Sequence, residues 1–202
     1  MTQVPKYLSA EERRAMTVKT VLELAAVRNP ADITTMAIAA HMGLSQAAVF
    51  RHFATKDEVW QAVMDWVSVE LLSRVQAAAD GAAGPLAALE AVFAAHVGFA
   101  AEYPGVPRTL FAELQRTEPT PAKKALEELL NRYGEILAAL LEQGKREGEV
   151  DEGVDVPVAV AMFIGSIQGL VIKSFLEGDM GHASKTAART FGLYRRAVGR
   201  LP

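Results

Sequence analysis

The sequence contains no cysteine, and this absence removes several classes of site at once. Disulfides and thiolate metal ligands are excluded, which fits a reducing compartment. The four histidines, His41, His52, His96 and His182, are scattered and show no paired spacing of the kind that holds a metal. We therefore expect neither a metal site nor a cofactor.

Long apolar runs are also missing from the chain. A helix that crosses a bilayer needs roughly 20 consecutive apolar residues. The closest stretch, Val156 to Val171, is interrupted by Gly165, Ser166 and Gly169, and the N-terminal residues lack the apolar core of a signal peptide. These features predict a soluble, cytoplasmic protein that does not bind a membrane.

Long alternating runs of β-branched residues are absent, whereas alanine and leucine are abundant and 50% of the 202 residues are hydrophobic. This composition predicts an all-α protein with room for one large or two small domains. Caps, glycines and prolines divide the chain into about nine helices. The predicted helices span roughly residues 9–28, 34–42, 46–52, 56–79, 86–102, 106–115, 122–147, 158–176 and 183–200.

The most informative segment is ITTMAIAAHMGLSQAAVFRHFATK, residues 33–56. Thr34 is a predicted N-cap of a short helix, which Gly43 ends in a left-handed conformation. Ser45 is a predicted cap of the next helix, and Thr55 of the one after that. Two short helices joined by a glycine-containing turn are typical of a helix-turn-helix, whose second helix can enter a DNA major groove.

At these residues the sequence resembles the TetR/AcrR family of transcriptional regulators. The matching pattern is T-T-x-x-I-A-x-x-x-G-[VL]-S-x-x-x-[LV]-[YF]-x-H-F-x-[ST]-K, present from Thr34 to Lys56. The resemblance implies a DNA-binding domain over residues 1–56, with motif helices at about 34–53. It also implies an effector-binding and dimerisation domain over residues 57–202.

The charge distribution is consistent with that division. Residues 1–56 carry seven Lys/Arg against four Asp/Glu, a net charge of +3, so the remainder of this chain of net charge −3 carries −6. A basic head on an acidic body suits a protein that binds DNA at one end. The asymmetry is modest, and chance remains an alternative explanation for it.

The resemblance places the base-reading residues at the start of the second motif helix. Gln46 can make a bidentate contact with adenine, whereas Ala47 and Ala48 offer methyl contacts to thymine. Arg51 has the reach for guanine or a phosphate, or it is a solvated surface arginine. Few polar side chains are available, so we expect DNA shape to supplement modest base readout.

Four further residues match family positions that touch the phosphate backbone: Thr35, Phe50, His52 and Lys56. Lys56 at a helix N-terminus combines its charge with free backbone N–H groups. His52 either donates to a phosphate or satisfies a local carbonyl. Phe50 replaces the commoner tyrosine of the family, so a hydroxyl-to-phosphate bond is excluded there.

The last two predicted helices, about Val158–Leu176 and Ala183–Arg200, are the candidate homodimer interface. Gly165 and Gly169 lie four residues apart, which lets helices approach closely, either within the protomer or between copies. The resemblance implies a four-helix bundle formed with a second copy. Dimers are expected because specific binding uses two half-sites about 34 Å apart.

The middle helices contain the candidate pocket for a small hydrophobic effector. Its expected lining combines aromatic and aliphatic side chains with a few polar groups, as in many small-molecule sites. An ordinary core, with His96 as a hydrogen-bonded core histidine, is the alternative. The candidate residues are Phe93, His96, Val97, Phe99, Phe111, Leu114, Tyr133, Met162, Phe163 and Gln168.

The sequence thus predicts a DNA-binding transcriptional regulator, a ligand-released repressor that binds a palindromic operator as a homodimer. A helical enzyme is a second hypothesis, for which Tyr133 or Glu113 near His96 would be the only conceivable actors; we expect no enzymatic activity. A third is a regulator without an effector. The sequence leaves open the effector, the operator, the target genes, and whether the protein represses or activates.

Overall fold

The computed structural model describes residues 9–200, apart from the side chain of Phe50. Within these residues the regular structure is helical, with a single antiparallel bridge between Val150 and Gly199. The helices are α1 (Ala10–Val27), α2 (Thr35–Met42), α3 (Gln46–Phe50), α4 (Lys56–Asp80), α5 (Pro85–Glu102), α6 (Gly105–Leu114), α7 (Pro121–Glu147), α8 (Val156–Glu177) and α9 (Gly181–Val198), with a 3-10 turn at Pro30–Asp32. The all-α class and the nine predicted helices are confirmed for the described part of the chain.

The predicted helix ends agree closely with the structure because local caps define them. The Ser9 hydroxyl accepts from the Glu12 amide at 3.1 Å, and the Glu12 carboxylate accepts from the Ser9 amide at 2.7 Å, which completes a capping box. Thr34 caps α2 through the Ala37 amide at 3.1 Å. Gly43 ends α2 with φ 67°, a left-handed conformation that glycine adopts without strain.

Two local details differ from the prediction. The second motif helix ends at Phe50 instead of His52, because the amide of His52 bonds the Val49 carbonyl in a tight turn that leads into the buried Phe53. The 3-10 turn after α1 was not predicted. Its N-cap, Asn29, accepts from the Ala31 amide at 3.0 Å, and Pro30 occupies its first position.

The chain divides into two compact units, and each unit is formed by two separate segments of the sequence. The first comprises Met1–Val69 and Tyr103–Glu128, and the second comprises Glu70–Glu102 and Leu129–Pro202. Packing therefore places α6 in the same unit as the motif helices. The predicted functional boundary at residue 56 concerns what each segment binds, and it stays a prediction.

The first unit is built on α1, whose buried face carries Val18, Val21 and Leu22. This face packs on α2 and, further along, on α6. The contact with α6 is unusually close at Gly105: a Cβ atom at this position would overlap the Leu22 carbonyl oxygen and lie 3.1 Å from the Ala26 amide nitrogen. Only glycine allows the two backbones this separation.

The second unit has a core formed largely by α5, α8 and α9. Glu149, in the connection between α7 and α8, joins several parts of it. Its carboxylate accepts from the Leu86 amide at the start of α5 at 2.8 Å, and its carbonyl accepts from the Arg200 amide at 3.0 Å. The start of α5 and the residues after α9 are thereby held against the same connection.

Two helices of the described chain, α5 and α8, are long and apolar enough to cross a bilayer by length and composition alone. Half of the apolar window of α5 is buried within the protein. Only 28% of the corresponding window of α8 is buried. Helix α8 therefore presents an apolar face that the rest of its own unit leaves uncovered.

Candidate DNA-binding surface and effector-binding core

The start of α3 is held in place by its own caps. The Ser45 hydroxyl accepts from the Ala48 amide at 3.3 Å, and the Leu44 amide bonds the Ala39 carbonyl at 2.9 Å across the turn. Behind α3, Val49 is buried in the core of the unit. This anchoring leaves Gln46 and Ala47 exposed and Ala48 half-buried, as a helix that reads base edges requires.

Gln46 is already oriented by a neighbour on α2. Its amide nitrogen donates to the Thr35 hydroxyl at 2.9 Å, and Thr35 is half-buried. An amide group has two N–H donors and an acceptor oxygen, so this bond leaves one donor and the oxygen for a base. Donor and acceptor together match the N7 and N6 groups of adenine.

The predicted phosphate contacts lie at the end of α3 and the start of α4. Lys56 is exposed and its Nζ donates to the Ala31 carbonyl at 3.4 Å. Thr55 caps α4 by accepting from the Glu58 amide at 3.2 Å. Arg51 is exposed and His52 is half-buried, whereas the side chain of Phe50 lies outside the described part of the structure.

Arg14 supports the motif from α1, and sequence analysis missed it. Its Nη1 donates to the His52 carbonyl at 2.6 Å, and its guanidinium lies 4.3 Å from the centroid of the Phe53 ring. A cation over an aromatic face is attractive, and here it also fixes the residues that follow α3. Arg14 lies four residues before the buried Val18, on the same face of α1. This spacing is the feature of the sequence that could have placed Arg14 beside the motif.

The second unit brings several predicted effector residues together in one aromatic cluster. The Phe93 and Phe163 rings have centroids 5.2 Å apart, and the Phe163 and Tyr194 centroids are 5.3 Å apart, both edge to face. Phe191 lies 5.7 Å from Phe93 and 5.8 Å from Tyr194. We call Phe93, Tyr133, Phe163, Phe191 and Tyr194 the aromatic cluster; all five are buried, and each ring contacts at least one other, Tyr133 through Phe163.

His96 joins the aromatic cluster through Tyr133. The His96 Nδ1 and the Tyr133 hydroxyl are 3.1 Å apart, and the two rings meet edge to face at 5.2 Å. Burial lowers the pKa of His96 to about 4, because the charged imidazolium loses its hydration. Burial also raises the pKa of Tyr133, and both groups are therefore neutral at pH 7.

This arrangement predicts a specific loss of stability in acid. The unfolded chain protonates His96 near pH 6.5, whereas the folded protein does so only near pH 4. Between these values the unfolded state binds more protons than the folded state. Protonation of His96 therefore leaves the free energy of unfolding unchanged above pH 6.5 and lowers it as the pH decreases, by at most about 1.4 kcal/mol per pH unit. Thermal melts at pH 7.5 and 5.0 measure the loss. His96→Asn, which cannot titrate, should lose distinctly less than the wild type; equal losses would contradict the assignment.

The other candidate effector residues of the second unit lie in different surroundings. Val97 and Phe99 are buried on α5, with the Arg74 guanidinium 5.3 Å from the Phe99 ring centroid. Met162 and Gln168 are both exposed on α8, on the face opposite the buried Phe163. Their part in an effector site stays a prediction.

The two remaining candidates, Phe111 and Leu114, are on α6 and so belong to the first unit. Phe111 is half-buried, and Leu114 has 47% of its surface exposed. Among the described residues no group of three His, Asp or Glu side chains is arranged to hold a metal ion.

The uncovered face of α8 carries large apolar side chains. Val158, Ile172 and Leu176 are 53%, 48% and 84% exposed. A Cβ atom added at Gly165 or Gly169 would meet no other described atom within 4 Å outside the neighbouring backbone. Close packing within the described protomer therefore does not require these glycines.

A capped recognition helix on a three-helix scaffold, followed by a helical body, defines a helix-turn-helix DNA-binding regulator. Residues 18–63 match the family of bacterial regulatory proteins called the tetR family, and residues 85–191 match the tetracyclin repressor-like C-terminal domain. The chain belongs to the TetR family of DNA-binding transcriptional regulators.

Similar proteins carry several different names. The nucleoid occlusion factor SlmA of Idiomarina loihiensis is 28% identical over 182 residues, which cover 87% of this chain and 93% of that protein. The ketosteroid transcriptional regulator KstR2 of Mycobacterium tuberculosis has a TM-score of 0.78 at 18% identity, covering 99% of this chain and 100% of that one. The regulator FadR of Bacillus subtilis, solved in complex with stearoyl-CoA, has a TM-score of 0.79 at 19% identity, covering 89% and 96%. These structural likenesses show the fold.

Proposed function

We propose that the protein is a cytoplasmic, homodimeric repressor that binds a palindromic operator and is released by a small hydrophobic molecule. The observation that carries the DNA-binding part is the hydrogen bond from Gln46 to Thr35 at the exposed start of α3. A pre-oriented amide loses less conformational freedom when it binds a base than a mobile one does. Membership in the TetR family supports the general assignment.

In this proposal only a few side chains of the protein recognise the DNA sequence. Gln46 contacts adenine, Ala47 and Ala48 contact thymine methyl groups, and Arg51 contacts guanine or a phosphate. Lys56, together with Thr35 and His52, contacts the phosphate backbone. Because one good bidentate contact discriminates by only about 1–3 kcal/mol, the remaining specificity must come from DNA shape and from the second half-site.

Two substitutions separate base reading from backbone binding. Gln46→Ala should weaken operator binding roughly 10-fold or more with little effect on unrelated DNA, because only a base contact is lost. Lys56→Ala should weaken both and lower the salt dependence of binding by about one ion per half-site. Fluorescence anisotropy across a salt series measures both. Equal losses on operator and unrelated DNA for Gln46→Ala would contradict its base-reading role.

We infer that the dimer forms through α8 and α9. The uncovered apolar side chains of α8 and the exposed Leu193 of α9 support this interface, as do the open positions at Gly165 and Gly169. In a two-fold symmetric pair the same patch serves both copies. The membrane is the alternative location for an apolar helix, and a protein that sediments as a dimer without binding lipid vesicles excludes it.

We propose that effector binding and DNA binding are linked. A hydrophobic molecule that binds more tightly to a form with incorrectly spaced motif helices would lower operator affinity, and operator DNA would lower effector affinity by the same factor. The stearoyl-CoA complex of FadR shows that a protein of this fold holds an acyl chain. His96 and Tyr133 are the polar groups that would orient the effector.

A second candidate function is a DNA-binding factor that needs no effector. The packing of the aromatic cluster favours this candidate, because the rings that would line a pocket contact one another directly. A relative with 28% identity, SlmA, is named a nucleoid occlusion factor, and this name is the second reason for considering the candidate. The two candidates make different predictions for the distribution of binding sites.

The experiment that tests the proposal is selection of genomic DNA fragments by the purified protein, with the bound stoichiometry measured for the enriched sequences. A palindrome bound by dimers at a few promoters supports the repressor. Many sites dispersed along the chromosome support the effector-free factor. Binding that is sensitive to salt and blind to sequence would contradict both.

We propose that the protein has no enzymatic activity. Tyr133 and His96 are hydrogen-bonded to each other within the second unit, whereas Glu113 is a buried residue of the first unit. A turnover screen against ester and amide substrates is the direct check.

A further inference from the structure

Arg116 lies in the connection between α6 and α7, far in sequence from the motif helices, yet its side chain lies beside the start of α4. Its Nη1 is 3.8 Å from the Asp57 Oδ1 and 3.5 Å from the Glu113 Oε1. Asp57 follows Lys56 directly in the sequence. One guanidinium therefore joins α6 to the residue next to the proposed phosphate contact.

Glu113 provides a fixed anchor for this guanidinium. Its side chain is 6% exposed, and its Oε2 accepts from the Thr120 hydroxyl at 2.9 Å. The Arg116 carbonyl accepts from the Lys123 Nζ at 2.8 Å, which holds the backbone of the same connection. A buried, hydrogen-bonded carboxylate moves little, so it restricts where the Arg116 side chain can lie.

Arg116 and Lys56 also share one open groove. The groove has a volume of about 370 Å³, and its lining includes Lys56, Asp57, Glu113 and Arg116. Asp57 is 55% exposed in this groove, and Arg116 is 41% exposed. A carboxylate in this position would repel the DNA backbone, which carries one negative charge per about 1.7 Å of helix axis.

We propose that Arg116 is a positioning residue for DNA binding, which offsets the charge of Asp57 and so keeps the start of α4 favourable for a phosphate. The inference rests on the proposed role of Lys56. It adds a residue of the α6–α7 connection to the DNA-binding apparatus. Arg116 and Asp57 are both exposed, and exposed ion pairs contribute little to stability. The buried Glu113 keeps its hydrogen bond from Thr120 in each variant, so the variants needed to test the proposal should fold.

The test is a double-mutant cycle on Arg116 and Asp57, read by binding to operator and to unrelated duplex DNA. At about 0.1 M salt, Arg116→Ala should weaken binding to both roughly fivefold, because the freed carboxylate faces phosphates. Asp57→Asn should strengthen binding to both. In the Asp57→Asn background, the loss from Arg116→Ala should shrink to roughly twofold or less.

Two further variants make the result specific. Lys124→Ala removes a positive charge from an exposed residue of the same unit that does not line the groove, and it should weaken binding less than Arg116→Ala does. Arg116→Lys keeps the charge and should stay within about twofold of the wild type. Thermal melts confirm that each variant remains folded.

The outcomes distinguish this inference from the proposed function. Equal losses from Arg116→Ala in both backgrounds, or a loss no larger than that of Lys124→Ala, would overturn the role of Arg116 while wild-type DNA binding stands. A lowered melting temperature for Arg116→Ala that Asp57→Asn does not restore would assign a structural role and overturn it as well. A wild-type protein that binds no duplex would remove the proposed function and the inference together.

Discussion

Replacing Gly105 with alanine is expected to destabilise the first unit by about 3 kcal/mol, one of the two largest effects of a single substitution that we expect in this protein. The added methyl group would overlap the carbonyl oxygen of Leu22, and this atom belongs to the backbone of α1, which cannot rotate away. Helix α6 must then shift from α1, and the packing around Thr109 and Val106, both buried, must loosen.

The measurement can be confined to the unit that carries the change. Both tryptophans of the protein, Trp60 and Trp66, are on α4 before residue 69 and so belong to the first unit. Their fluorescence during urea unfolding should show a lower midpoint for Gly105→Ala. Gly98→Ala, in the second unit, is the control: an added Cβ there meets no described atom within 4 Å, so this midpoint should not fall. An unchanged midpoint for Gly105→Ala would contradict the close contact.

The same substitution should also weaken DNA binding. Helix α1 supports α2 directly, and its Arg14 holds the residues that follow α3 through the His52 carbonyl. A displacement of α1 therefore reaches Gln46 without any change in the motif itself. We expect operator affinity to fall even under conditions in which the variant remains folded.

Phe163→Ala is expected to cost the second unit about 3–5 kcal/mol. The Phe163 ring is fully buried and contacts four other rings of the aromatic cluster, so its removal leaves a cavity that the remaining rings cannot close without shifting. Urea unfolding followed by circular dichroism gives the loss. Phe163→Leu, which keeps most of the apolar volume, should lose only about 1–2 kcal/mol. Equal costs for the two variants would contradict this account.

This variant also separates the two candidate functions. Apolar cavities in protein cores stay dry and bind small apolar molecules, and a ligand that binds the folded state raises its melting temperature. Small aromatic molecules should therefore stabilise Phe163→Ala. If they also stabilise the wild type, the aromatic cluster opens to admit an effector. If they stabilise only the variant, the effector-free candidate is favoured.

Sequence reasoning succeeded where the information is local. Ser9 with Glu12, Thr34 and Gly43 act on amides and carbonyls within a few residues of themselves, so their positions define helix ends directly. The motif from Thr34 to Lys56 could be placed on helices for the same reason. The family was predicted from this motif. Even the small error at the end of α3 involved only two residues, because the tight turn at His52 depends on the burial of Phe53.

Sequence reasoning could not reach the contacts between distant segments. Nothing near Arg116 indicates that it lies against Asp57, and nothing near Gly105 indicates the carbonyl of Leu22. The sequence placed Phe93, Tyr133 and Phe163 in the candidate pocket, but it could not show that the Phe163 ring contacts the other two. The hydrogen bond from Gln46 to Thr35 depends on the crossing of α2 and α3, which spacing alone does not give.

The discontinuous first unit has a consequence for how the protein is made. On the ribosome the motif helices emerge early, but the unit is complete only when α6 and the residues up to Glu128 have followed. At about 5–20 residues per second, the roughly 60 residues between Val69 and Glu128 take several seconds to synthesise. During that interval the apolar face of α1 lacks its α6 partner. The DNA-binding head therefore exposes this apolar face until α6 has been synthesised.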